Sequence, residues 1–129
     1  MRFTPDPVMT LQKNEVFVFG SNEAGIHGAG AARAAVAFGA VNGRGFGPCG
    51  QTYAIPTKDW HIETLDLETI RTYVSSFLRY ARSRPDKTFL VTKIGCGLAG
   101  LAVEDVAPMF SGRPANVVLP EEFYDYVVV

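Results

Sequence analysis

The sequence has little with which to cross-link, hold a metal or grip a nucleic acid. Cys49 and Cys96 are the only cysteines in 129 residues, too few for a disulfide framework, and their free state is expected in a reducing cytoplasm. These two and the histidines His27 and His61 stand far apart, without the paired spacing of a zinc site, so neither a metal nor a cofactor is expected. Basic and acidic residues nearly cancel, 12 against 13. The cationic excess that drives counterion release from a nucleic-acid backbone is therefore missing, which argues against a nucleic-acid partner. No apolar run is long enough for a membrane span, and MRFTPDPVM lacks the apolar core of a signal peptide, so no membrane partner is expected either. Two phosphate-binding signatures are absent as well. Gly28-Ala29-Gly30 fails G-x-G-x-x-G because Arg33 takes the third glycine's place, and no G-x-x-x-x-G-K-[ST] occurs.

What is present is ample material for a core. Hydrophobic residues make up 47% of the chain and aromatics 12%, which excludes disorder and suits a single domain over residues 1–129. Four short apolar, β-prone runs read as strands: Val16 to Phe19 before Gly20, Thr52 to Ile55 before Pro56, Thr88 to Ile94 before Gly95, and Asn116 to Leu119 before Pro120. Between the first two, the alanine-rich Gly30 to Phe38 reads as a short buried helix ended by Gly39. Leu67, Ile70, Val74, Phe77, Leu78 and Ala81 follow helical spacing, with Asp66 as N-cap, Arg82 and Arg84 at the C-terminal end and Pro85 as the stop. A third helix is expected from about Val103 to Phe110, with Pro108 inside it. Met9 to Leu11 and the tail Phe123 to Val129 are candidate edge strands. The order βαβαβαβ, with strands apolar enough to be covered on both faces, predicts an α/β fold: a three-layer α/β/α sandwich around a mixed, mostly parallel sheet.

Ligands of such sheets bind outside the carboxyl ends of the strands. Of the 13 glycines, seven (Gly20, Gly25, Gly28, Gly30, Gly95, Gly97 and Gly100) fall in the loops after the first and third runs. Two such loops can wrap a diphosphate with main-chain N–H groups, although glycine-rich turns also serve tight connections alone. Each candidate side chain has two readings. Asn22 suits a ribose hydroxyl or the capping of its own loop. Lys58, at the end of the second run, suits phosphate or a carbonyl, or is a solvated lysine paired with Asp59. His27 lines the ligand or is an ordinary exposed loop histidine. Cys96 is a thiolate or a small buried hydrophobe.

Three segments carry a resemblance: Gly20-Ser21-Asn22 with His27-Gly28-Ala29-Gly30, Tyr53-Ala54-Ile55-Pro56-Thr57-Lys58, and Lys93-Ile94-Gly95-Cys96-Gly97-Leu98-Ala99-Gly100. From about residue 14 to 120 the chain resembles a compact macro domain, the ADP-ribose-binding fold. It is most similar to the branch that removes terminal ADP-ribose from acidic side chains and deacylates O-acyl-ADP-ribose, and it also looks like macro-like proteins of bacteria and phages. The resemblance implies that His27, Gly28, Ala29 and Gly30 lie beside the distal ribose and that Gly95, Cys96, Gly97, Leu98 and Ala99 lie over the diphosphate. It places Asn22 near the ribose-contacting asparagine and Lys58 at the catalytic lysine, a nucleophile on the ribose. The acidic partner of that branch follows the leucine of Gly-Cys-Gly-Leu, and here that position is Ala99. A lysine nucleophile needs a positioned proton acceptor, which alanine does not supply; Asp59, Glu104 and Asp105 are the candidate substitutes. Two expectations follow: a hydrolase of an ADP-ribose ester or phosphate, or a module that binds free or protein-linked ADP-ribose without turnover.

Overall fold

Near-continuous burial along the first strand, β1 (Glu15–Asn22), with successive side chains going to opposite faces, decides how the layers assemble. Val16 and Val18 join a large apolar cluster with Ile70, Val74 and Phe77 of α2 (Leu67–Arg82) and Val106 of α3 (Val103–Val106). Phe17 and Phe19 face the other way, into a smaller cluster with Ala32 and Ala35 of α1 (Gly30–Val36). A strand with both faces apolar must be covered twice. The result, in a computed structural model that describes residues 2–128, is the three-layer α/β/α sandwich.

The sheet has the order β2 (Gly47–Cys49), β3 (Thr52–Lys58), β1, β4 (Thr88–Val91) and β5 (Val117–Val118). All neighbours are parallel except β2, which runs antiparallel to β3. Helix α2 forms where the sequence predicts it: the Asp66 carboxylate accepts from Thr69 N at 2.8 Å, capping a free N–H of the first turn. Its stripe is buried, and Phe77 is fully buried among Tyr53, Phe89 and Phe110, a burial worth about 2–3 kcal/mol.

Several boundaries differ from those expected. Strand β1 continues past Gly20 because Ser21 and Asn22 still pair with β3. Strand β4 stops at Val91, since Thr92 N makes a last bond to Val18 O and Ile94 N then turns back to Thr92 O. Helix α1 ends at Val36, with Ala37 to Gly39 forming a turn. The third helix divides into α3 and a 3-10 helix, Ala107–Phe110, with Pro108 in its first turn, where a missing N–H costs least. Neither expected edge strand forms among the described residues. Met9 to Leu11 is irregular, with Leu11 packed against the α1 cluster. The tail forms a 3-10 helix, Glu121–Asp125, which buries Phe123 completely; Val129 lies outside the described residues.

Strand order and layering together place a crevice. From β1 the chain moves outward to β3, then returns to β4 on the opposite side of β1. The segment after β1 leads to α1 on one face, and the segment after β4 leads to α3 on the other. Loops that part in this way leave an opening at the carboxyl end of the sheet.

Candidate ligand-binding cleft

That opening is a cleft of about 500 Å³. Its walls come from the ends of β1 and β3, the loop after β1 (residues 23–29) and the loop after β4 (residues 92–102). A second cavity, of about 520 Å³, adjoins it and shares Gly30, Ala31, Thr92 and Lys93.

The register of β1 and β3 slips between Ser21 and Asn22: Ser21 pairs with Pro56 and Asn22 with Lys58, so Thr57 is the extra residue of a bulge. Bulges re-aim side chains beside sites, and here Lys58 lines the cleft. The bulge is fastened by Thr57 Oγ1 donating to Ser21 O at 3.3 Å and Glu23 N donating to Lys58 O at 2.9 Å.

The loop after β1 is braced twice. Inside it, the Asn22 side chain accepts from Ile26 N at 2.9 Å and donates to Ile26 O at 2.8 Å. From outside, residues 42–45 press against it: the Asn42 side-chain Oδ1 accepts from His27 N at 2.9 Å, Gly43 N donates to Gly25 O at 2.8 Å, and Ser21 Oγ donates to Gly45 O. The approach is so close that a Cβ on Gly45 would collide with Asn22 O and one on Gly25 with the Gly43 main chain. From Gly95 on, the loop after β4 closes on itself instead, through Gly100 N to Gly97 O at 2.9 Å and Leu101 N to Gly95 O at 2.7 Å. Thr64 Oγ1 ties it to the loop after β3, donating to Ala99 O at 2.9 Å.

Of the residues singled out from sequence, the fold brings Asn22, Gly28, Ala29, Gly30, Lys58, Gly95, Gly97, Leu98 and Ala99 to the cleft. His27 and Cys96 are not in its lining. His27 is not an exposed loop residue either: it is 4% exposed, its ring edge-on to Phe19 and its Nε2 3.1 Å from Arg44 O. A carbonyl can only accept, so Nε2 carries the proton. Cys96 packs against the large core cluster, and burial pushes its thiol above the ordinary range, against the opposing pull of Lys93; that is the small-hydrophobe reading. Asn22 spends both ends of its amide inside its own loop. Lys58 is not paired with Asp59, whose Oδ1 accepts from His61 N and Glu63 N instead.

Charge in the cleft is of one sign. No carboxylate lines it among the described residues, and Asp59, Glu104 and Asp105 all lie outside it. Glu23, in the loop after β1, is drawn off by Tyr73 Oη, which donates to it at 2.5 Å. Lys93 is matched by Glu122 at 2.7 Å and Asp6 at 3.2 Å, and these hydrogen bonds, Glu122's first, raise its pKa. Lys58 has no carboxylate within ion-pair distance among the described residues. The main-chain N–H groups of Gly28, Ala29, Gly97, Leu98 and Ala99 also have no partner there, and all five residues line the cleft. Free N–H groups on two facing loops, with one unpaired lysine, suit an anion.

Sequence reasoning passed over Thr57, Lys93, Ile26 and Ile62, which also line the cleft. It passed over the bracing segment too, although Asn42-Gly43 is a turn signal that could have marked it. No protein-family model matches this chain, and no curated protein or solved structure matches it either. No helix among the described residues is long and apolar enough to cross a membrane.

Proposed function

We propose that the cleft binds ADP-ribose or a close derivative, free or attached to a protein, in the manner of a macro domain. The observation that carries this reading is the group of main-chain N–H groups without partners, among them those of Gly28, Ala29, Gly97, Leu98 and Ala99, on two loops that line a cleft with no carboxylate among the described residues. A diphosphate has the charge and the spread of acceptor oxygens to use both loops together. The sequence resemblance supplies the nucleotide's identity.

Capture without turnover is favoured over hydrolysis. Among the described residues, Lys58 is the amine that lines the cleft at the end of β3, and no carboxylate, imidazole or thiol lines it to take a proton from that amine or pass one to a leaving group. Titration calorimetry with ADP-ribose should give a micromolar dissociation constant, about −7 to −8 kcal/mol. No heat and no thermal shift at millimolar ligand would end the reading. Lys58→Ala then separates capture from turnover. If the lysine offsets diphosphate charge, the variant binds more weakly, and wild-type affinity falls as salt rises. If it is a nucleophile, O-acetyl-ADP-ribose or ADP-ribose phosphate is consumed by the wild type, and Lys58→Ala loses that activity with affinity nearly intact.

A further inference from the structure

Ile62 is the one non-glycine residue at positive φ among the described residues, at 64°. A β-branched side chain is poorly suited to that conformation, which asparagine or glycine adopts with far less strain. The strain is imposed by a compact loop. Asp59 Oδ1 accepts from His61 N at 2.8 Å and Glu63 N at 3.0 Å, Asp59 N donates to Glu63 O at 2.8 Å, and Ile62 N donates to Asp59 O at 3.1 Å. Nothing in the core compensates for it. Ile62 belongs to neither apolar cluster and is 40% exposed. It does line the cleft, together with Lys58 and Ala99. Strain that the packing does not explain, in a residue beside a site, is a sign of function.

We infer that Ile62 is a specificity-determining residue, whose side chain covers the apolar face of the sugar at the distal end of the diphosphate, beside Lys58. This rests on the ADP-ribose reading. A sugar ring presents C–H groups on its face and hydroxyls at its edge, so an apolar side chain excludes water from the face while polar groups reach the edge. Leu98, 72% exposed and also in the lining, offers apolar surface to the same cleft. Polar asparagine at position 62 would keep the backbone shape and lose this cover.

The test compares ADP-ribose with ADP, which lacks the distal sugar, on the wild type, Ile62→Asn and Ile62→Leu. The wild type prefers ADP-ribose. Ile62→Asn melts at the same temperature or higher and loses at least fivefold in that preference, through weaker ADP-ribose binding, and Ile62→Leu restores most of it. A wild type that binds ADP as tightly as ADP-ribose, an unchanged preference in Ile62→Asn, or a lowered melting temperature in that variant overturns the inference while the nucleotide reading stands. A wild type that binds neither ligand overturns the nucleotide reading, and the role of Ile62 with it.

Discussion

The loops after β1 and β4 form two walls of one cleft and are held by different means. The first is clamped between its own asparagine and a second segment of chain, residues 42–45, at distances that leave no room for a Cβ on Gly25 or Gly45. The second is held from outside only at its start, by Thr92 on Val18 O and Lys93 on Glu122 and Asp6; from Gly95 to Leu101 it closes on itself, tied sideways through Thr64. Preorganised donors bind an anion without first giving up conformational freedom, and a looser wall can adjust to the ligand's shape. The cleft therefore combines a fixed side with a compliant one.

The most severe way to break this contrast is Gly45→Val, which drives a branched side chain into Asn22 O. A clash with main chain cannot be relieved by a rotamer change, so chemical denaturation should show a loss of about 3 kcal/mol. Gly28→Val and Gly97→Val are milder for the fold. A Cβ at either position meets nothing within 4 Å, so melting temperatures should hold while the added side chains obstruct the cleft. Gly28→Val, on the fixed wall, should weaken ADP-ribose binding at least tenfold, and Gly97→Val, on the compliant wall, only several-fold. Equal losses in calorimetry would remove the distinction between the walls. Thr64→Val cuts the sideways tie to Ala99. It should cost about 1 kcal/mol or less in stability and two- to threefold in affinity.

The smallest effect concerns pH. The Asp59 carboxylate is held below its ordinary value of 3.8 chiefly by the hydrogen bond from Glu63 N, with a second from His61 N. A lowered folded pKa means that the carboxylate's contribution is complete above 3.8 and fades as pH falls through the folded value. Binding should therefore show no dependence on Asp59 between pH 5 and 8, which a matched titration of Asp59→Asn, an isostere that keeps an acceptor oxygen, would reproduce. A wild-type curve that departs from the variant's in this range would contradict the assignment.

Much of this arrangement could be read from residue order, and the rest depends on contacts between distant segments. The helical spacing from Leu67 to Ala81, the cap at Asp66 and the both-faced burial of Val16 to Phe19 are local patterns, and each formed as expected. The glycine loops likewise converged, because strand direction alone puts them at one end of the sheet. The bulge at Thr57 could not be foreseen: it depends on how β1 and β3 meet, which neither strand encodes by itself. The same is true of His27, whose burial is decided by Asn42 and Arg44, and of Lys93, which is neutralised from residues 6 and 122. Ile62 gives no sequence signal, because an isoleucine at positive φ runs against propensity.

The ends of the sheet have a consequence of their own. An outer strand with bare N–H and C=O groups is a template on which another chain can add itself. Here β2 is three residues long and carries Pro48, which has no N–H to offer. At the far side, β5 is two residues long, and Thr4 lies alongside, its N–H donating to Leu119 O at 2.9 Å and its hydroxyl to Val118 O at 3.1 Å. Both margins are thus short and interrupted or covered. An apolar, mostly parallel sheet that would otherwise invite stacking edge to edge is closed to growth, and Thr4, remote from the cleft in role, is the residue that covers the β5 margin.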